Sequence, residues 1–406
     1  MTMNLTNKEP IVGYQRQDGR VGIRNVIVIA YLVECAHHVA RRIANFFPED
    51  PVHVIGFSGC YPNAYADKMM NALCTHPNVG AVLLVSLGCE SFNRNRLLEN
   101  IRSSGRPVHL VGIQERGGTA NAMQEGKTFV SEALEHLKGT SRAVLPFEDL
   151  IVGVVSGGSD ATSGLTANPA AGKAFDYIVE GGATAIFENT GEMIGLEDHM
   201  AARAVTEELG EQIKAAVHKA ARYYSVMGHG SFAPGNAEGG LTTLEEKSMG
   251  AYCKSGSAPI VGLIKPADRT GRKGLYLMDI VPDGEPRFGF PNPNDIAEMN
   301  ELIASGAHCI LFTTGRGSVA GSAISPVIKI CANPETYQRM RGDMDINAGK
   351  ILYDQATIEE VGKEIVQKII LTAQGQPTCS EALGHQEFSL SYKSFEPIGP
   401  ACLPSV

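Results

Sequence analysis

The sequence predicts an α/β protein, with a small doubly wound parallel-sheet domain followed by a larger α/β domain with glycine-rich loops. Three observations predict it. From residue 25 onward, continuous apolar, β-branched runs alternate with amphipathic stretches, the pattern of strands buried on both faces and of their crossover helices. Glycine occurs 45 times and gathers in loops that follow strands in the second half. The 406 residues are 43% hydrophobic and 19% charged, which suits two or three domain cores and excludes a disordered chain.

Residues 25–33 (NVIVIAYLV), 52–57 (VHVIGF), 79–87 (VGAVLLVSL) and 108–113 (VHLVGI) are predicted strands. Helices are predicted over 36–47, 64–73, 92–103 and 119–137. Strands joined in this way by helices form one parallel sheet. A linker at Pro146 divides the chain into 1–145 and 146–406. Beyond it, strands at 150–155, 184–187, 260–263 and 309–313 alternate with helices at 200–221, 295–304 and 358–373. The tail after Gly384 reads as extended.

The formal net charge is −9 and no basic stripe is present, which argues against nucleic acid as a partner. The N-terminal segment MTMNLTNKEP lacks the basic and apolar regions of an export signal, and no run reaches the length of a membrane span. A cytoplasmic protein is expected, and its nine cysteines read as thiols, metal ligands or small buried hydrophobes rather than disulfides. An acidic chain that binds an anion must concentrate its basic residues locally.

Cys35, Cys60 and Cys89 each follow one of the first three strands, in LVECA, FSGCY and SLGCE, with separations of 25 and 29 residues. Carboxyl ends of parallel strands share one edge, where ligands bind. Three thiolates there suit a soft metal: a 4Fe–4S cluster with an open iron, or mononuclear Fe(II) or Zn(II). Glu90 is placed to ligate or orient. The plain alternative is that each cysteine is a small buried hydrophobe.

Three glycine-rich loops offer binding groups. In VVSGGSDATSG, Ser159, Asp160, Thr162 and Ser163 supply hydroxyls and a carboxylate suited to a polyhydroxylated acid; a tight turn with a helix cap is the structural alternative. In TTGRGS, Thr314, Arg316, Gly317 and Ser318 form a carboxylate clamp led by the guanidinium. PGNAEGGLTTLEEKSMG carries Asn236 and leads into a helix near Thr242, where Thr243 and Glu246 have capping-box spacing and Lys247 is a candidate base. Glu188 stands at a strand end and is the site member expected from the run Glu188, Glu192 and Glu197, which otherwise reads as a solvated surface. His229 is a loop histidine with either role.

The segments GYQRQDGRVGIRN, VECA, SLGCE, GGSDATSGLTANPA, PGNAEGGLTTLEEKSMGA, FTTGRGS and DMDINAG resemble, in order and wording, the altronate/galactarate dehydratase family. The match runs from about Gly13 to about His385. The resemblance implies removal of water from a sugar acid to give a 2-keto-3-deoxy acid, with iron required. For such a reaction we expect Cys35, Cys60 and Cys89 to hold the iron, Arg316 and the GRGS amides to hold the carboxylate, and Asp160, Glu188 or Lys247 to handle protons. The family's sulfolactate sulfo-lyase branch is expected to be less similar, because it is not expected to keep the three-cysteine pattern. Many relatives have cysteine where this chain has Ser156, and the segment 282–295 is not one associated with altronate enzymes. Relatives often begin with a small SAF domain, so a separate SAF-domain subunit and an oligomer are expected. Three rivals remain: sulfite elimination from a 2-hydroxy acid, a nicotinamide oxidoreductase using GRGSVAG, and a scaffold subunit that binds without catalysis.

Overall fold

The computed structural model describes residues 10–188, 190–228, 231–286, 294–390 and 393. His229, and residues 287–293 of the segment 282–295, lie outside them.

The first part of the chain runs through β1 (Ile11–Gln15), β2 (Val21–Gly22), β3 (Val26–Tyr31), α1 (Glu34–Ala44), β4 (Val52–Gly56), α2 (Ala64–Cys74), β5 (Val79–Ser86), α3 (Arg94–Ser103), β6 (Val108–Gly112), α4 (Thr119–Lys138) and β7 (Arg142–Leu145). Strands β3 to β6 form a parallel sheet in the order β4-β3-β5-β6. Every residue of β5 is buried, as its unbroken apolar run requires of a strand covered on both faces.

The second part holds β8 (Ile151–Ser156), α5 (Ala167–Glu180), β9 (Thr184–Glu188), α6 (Glu197–Ala201), α7 (Glu207–Met227), α8 (Pro234–Glu238), α9 (Leu244–Tyr252), β10 (Ile260–Ile264), β11 (Gly274–Met278), α10 (Asp295–Ala304), β12 (Cys309–Thr314), β13 (Val327–Cys331), α11 (Pro334–Arg339), β14 (Ile346–Asn347), α12 (Ile358–Ala373) and α13 (Cys379–Ala382). Its strands form a seven-stranded parallel sheet ordered β10-β11-β9-β8-β12-β13-β14.

The helix expected over 200–221 is instead two, α6 and α7. The Thr206 side chain accepts from the Leu209 amide at 3.2 Å and starts α7 afresh. A three-stranded antiparallel sheet, β2-β1-β7, was not expected either. It ties the chain's beginning to residues 142–145.

The GYQRQDGRVGIRN segment knits the two parts together. Ile11, Val21, Ile23 and Leu145 share one core with the large sheet. Arg24 bonds the Glu381 carboxylate at 2.6 and 2.9 Å and the Thr372 carbonyl at 2.9 Å. Arg16 donates to the Pro77 carbonyl at 2.7 Å and to Asn25 Oδ1 at 2.8 Å. Helix α2 packs against α10 in a second shared core. Among the described residues no helix is long and apolar enough to cross a membrane.

Candidate active site

In the large sheet the chain passes from β8 to β9 on one side and later returns to β12 on the other. The loops leaving the carboxyl ends of β8 and β12 therefore part, and a crevice opens between them, the position where parallel α/β sheets bind ligands. Both carry predicted site residues. The Gly315 and Arg316 amides donate to the Gly158 carbonyl at 3.0 Å each, and the Thr314 hydroxyl donates to it at 3.2 Å. Thr314 Oγ1 in turn accepts from the Gly317 amide at 3.0 Å, and Ser318 Oγ from the Ala320 amide at 3.1 Å. Asn236 accepts from the Ala233 amide and donates to the Ser159 carbonyl at 3.2 Å. This framework leaves Arg316 half-exposed, its one ion pair a 3.3 Å contact with exposed Glu238. A guanidinium so weakly engaged is available to an incoming carboxylate.

Asp160 was expected to handle protons, yet its carboxylate is spent on the loop. Oδ1 accepts from the Thr162 amide at 2.9 Å, the Thr162 hydroxyl at 2.6 Å and the Ser163 hydroxyl at 3.2 Å, while Oδ2 accepts from Asn333 at 3.0 Å. A Cβ at Gly315 would lie 2.1 Å from Oδ1, which explains the glycine there. Asp160 braces the two loops against each other, and Thr162 is consumed in the same turn. Lys247 stands on the wall of a cavity of about 500 Å³ that also borders Ser159 and Asp160. Its ammonium donates to the Ser231 carbonyl at 2.5 Å.

Beneath the loops lies a cluster of ionisable groups. Lys254 is fully buried. Its ammonium donates to Glu192 and, at 2.9 Å, to the Ser156 hydroxyl, with Glu188 at 3.8 Å. Glu192 was read as surface and is buried here. Glu188 is buried, and among the described residues no N–H or hydroxyl donor reaches its carboxylate oxygens, which leaves the Glu298 carboxyl as the neighbour they share a proton with. Burial, and then the neighbouring Glu298 carboxyl, push its pKa well above the ordinary value. A single proton held between Glu188 and Glu298 satisfies both. Burial, and then Asp295, raise Glu298 to about 8. Asp295, at the start of α10, is raised to about 6 by burial and by Glu192, against the opposing charge of Lys247. A Cβ on Gly157 would sit 3.3 Å from an Asp295 oxygen, so this carboxylate reaches the β8 loop.

This cluster makes stability depend on pH. Between pH 4.5, the ordinary glutamate value, and about 8, folded Glu298 keeps a proton that the unfolded chain releases. Stability from this group is therefore complete below pH 4.5 and is lost as pH rises towards 8. Glu298→Gln is expected to flatten that fall in denaturant midpoints measured from pH 5 to about 8; an unchanged slope would place the proton elsewhere.

The rival dinucleotide reading of GRGSVAG fails structurally. Residues 315–326 run into β13 with no helix between, so no helix N-terminus faces a pyrophosphate.

Cys35, Cys60 and Cys89 stand at the carboxyl ends of β3, β4 and β5, three adjacent strands, and all three are exposed. Their loops are linked by Glu34 N to Ser58 O at 3.2 Å and Ser91 N to Cys60 O at 2.9 Å. Soft exposed thiols at one edge suit iron by their chemistry. Among the described residues, however, no three His, Cys, Asp or Glu side chains are gathered as a ligand set. Glu90 is bound within its own loop by Ser86 and by the Gly88 amide at 2.8 Å. Cys74, Cys309 and Cys331 are buried, as expected, and Cys253 and Cys379 are half-buried.

Sequence reading missed Lys254, Glu298 and Asp295 as site members. One signal was available: α10 carries acids at 295, 298 and 301, three residues apart on one face of a helix that, Asn300 aside, is otherwise apolar.

The switch-point crevice thus carries a weakly engaged arginine above buried carboxyls, one of which holds its proton to about pH 8. Family comparison gives the class. Residues 13–138 match the D-galactarate dehydratase/altronate hydrolase second domain, and residues 147–395 match the D-galactarate/altronate dehydratase C-terminal domain. The chain belongs to the D-galactarate/altronate dehydratase family and is a lyase. It is 33% identical to the (2R)-sulfolactate sulfo-lyase subunit beta of Chromohalobacter salexigens, over 94% of this chain and 96% of that one. It is 30% identical to altronate dehydratase of Bacillus subtilis, over 93% and 76%, and 31% identical to galactarate dehydratase (L-threo-forming) of Escherichia coli, over 90% and 72%. The sulfo-lyase subunit is thus no less similar than the dehydratases, against the sequence expectation.

Proposed function

We propose that this chain is the catalytic subunit of a cytoplasmic sugar-acid dehydratase, converting a 2,3-dihydroxy acid to a 2-keto-3-deoxy acid. The observation that carries the reading is the pair of glycine-rich loops presenting Arg316 above the buried carboxyl cluster. Arg316 and the loop amide of Ser318 hold the substrate carboxylate, while Gly317 shapes the loop through its bond to Thr314. Asp295, ionised at neutral pH with a pKa near 6, takes the C2 proton. The C2–H electrons form the C2=C3 bond as the C3–O bond breaks, and hydroxide leaves with a proton. Glu298, still protonated at neutral pH, supplies that proton directly or through its shared proton with Glu188. Two carboxyls driven apart in pKa divide base and acid roles between them. The resulting enol tautomerises to the keto acid. Lys247 beside Asp295 steadies the negative charge that grows at C1 and C2.

Cys35, Cys60 and Cys89, exposed at one sheet edge though not gathered as a ligand set, are the residues that would hold iron, which would supply Lewis acidity where it is bound. Cys60→Ser is expected to remove most of the iron from anaerobically prepared protein and most of the activity with it. Full activity at no iron would end this part of the scheme.

A second reading has its own support, the 33% identity to a sulfo-lyase subunit over nearly its whole length. There the same C2 proton is removed and sulfite leaves C3 of a 2-hydroxy acid. That relative's designation as a subunit also supports a separate small partner chain, of the SAF type, within an oligomer. Keto-acid assays with altronate, galactarate and sulfolactate separate the readings: product from a sugar acid supports the first, and pyruvate with sulfite from sulfolactate alone replaces it.

A further inference from the structure

A second cavity, of about 290 Å³, lies at the junction of the two parts of the chain. Ile151, Pro77 and His308 on its wall begin or precede β8, β5 and β12, so it sits at the amino ends of the strands, away from the crevice. Arg20 and His76 come from one part and Arg269, Thr270 and Ser305 from the other. All five present hydrogen-bond donors.

Two of these donors are buried and unpaired. His76 and Ser305 are 1% and 2% exposed, and among the described residues neither His76 Nε2 nor Ser305 Oγ has a hydrogen-bond partner. The Asn78 amide donates to His76 Nδ1 at 3.1 Å, which fixes the ring proton on Nε2. The Gly306 carbonyl is close enough to influence the ring but lies outside hydrogen-bond geometry. Burial, His308 and the positive charge of Arg20 and Arg106 keep His76 neutral, so it is an N–H donor in search of an acceptor. An unpaired buried donor costs about 1–3 kcal/mol, a cost that an acceptor in the cavity would remove.

Charge points the same way. Arg16, Arg20, Arg106 and Arg269 cluster around a single carboxylate, Asp18. Arg20 holds Asp18 at 2.6 Å and Arg106 holds it at 3.2 Å. Arg269, exposed at the rim, makes no ion pair or hydrogen bond among the described residues. Asp149 borders the cavity but is already paired with Lys273 at 2.5 Å.

We infer that this cavity is a second ligand site, taking the carboxylate or phosphate group of a small metabolite and bridging the two parts of the chain. The site is independent of the proposed reaction, because it shares no residue with the crevice.

Calorimetric titration of the full chain with inorganic phosphate, sulfate and malonate tests it. The titration is run in an Arg316→Ala background, so that the crevice loops do not contribute. One equivalent of at least one probe should bind, and the probe should raise the melting temperature. Arg269→Ala and Ser305→Ala should each weaken binding by about tenfold or more. Ser305→Ala removes an unpaired hydroxyl, so the ligand-free protein should be no less stable, which separates lost binding from lost folding. Saturable binding by phosphate or sulfate but not malonate assigns a phosphate-bearing ligand, and the reverse assigns a carboxylate. Absence of saturable binding by all three, or equal binding by both variants and their parent, overturns the site.

Discussion

Asp295→Asn is expected to lower kcat by about 10²–10⁴-fold, the usual contribution of a positioned general base, with little change in KM. The amide keeps the shape of the side chain and cannot accept a proton. The acidic limb of kcat/KM near pH 6, set by the raised Asp295 pKa, should vanish in the variant. Asp295 also lies in the first turn of α10, where losing a negative charge costs about 0.3–1 kcal/mol. That is too little to unfold a chain of this size, so circular dichroism should be unchanged. A variant within tenfold of the parent rate, with its acidic limb intact, would move the base elsewhere.

Lys254→Met is expected to damage both stability and rate. The ammonium is fully buried and is the cation that faces Glu192, Glu188 and Ser156. Removing it leaves Glu192 buried without its counter-charge, a cost of about 3–5 kcal/mol. Lys254 is fully buried and acts through its neighbours, so it is a positioning residue. Without it the carboxyl pKa values rise further, because its charge lowers those of Glu188 and Asp295. The acidic limb of kcat/KM should therefore shift upward, a change that looser packing alone would not cause. Lys254→Met/Glu192→Gln, with neither charge, should regain most of the stability and bring the limb back down, because Glu192 raises Asp295 more than Lys254 lowers it. A single variant with unchanged midpoint and unchanged pH profile would contradict the cluster's role.

The fold was more legible than the site. Helices α10 and α12 were predicted to the residue because each couples an apolar pattern to a strong cap. Asn294 accepts from the Ala297 amide at 3.0 Å, and Thr357 and Glu360 form a capping box. Strands β11 and β13, GLYLM and VIKIC, were missed; each is a short apolar run that periodicity alone does not assign to a strand. The cysteine edge was visible because one strand–helix repeat separates successive thiols, a regularity within the sequence. The ionisable cluster was not, because Lys254 meets Glu192 and Ser156 across 62 and 98 residues. Such meetings are set by strand order, which no local pattern carries. Asp160 shows the converse. Its glycine-rich setting marks a functional loop, but four hydrogen bonds assign it to holding that loop in shape.

The most direct measurement follows the hydrogen at C2. The anaerobic protein, with any co-purifying subunit, is given sugar acids and sulfolactate labelled with deuterium at that carbon. Keto acid whose C2 deuterium has been lost to water, formed more slowly than from unlabelled substrate, is the predicted result. Keto acid formed only when a nicotinamide is added, or no product from any of these acids, would contradict elimination in the crevice between β8 and β12.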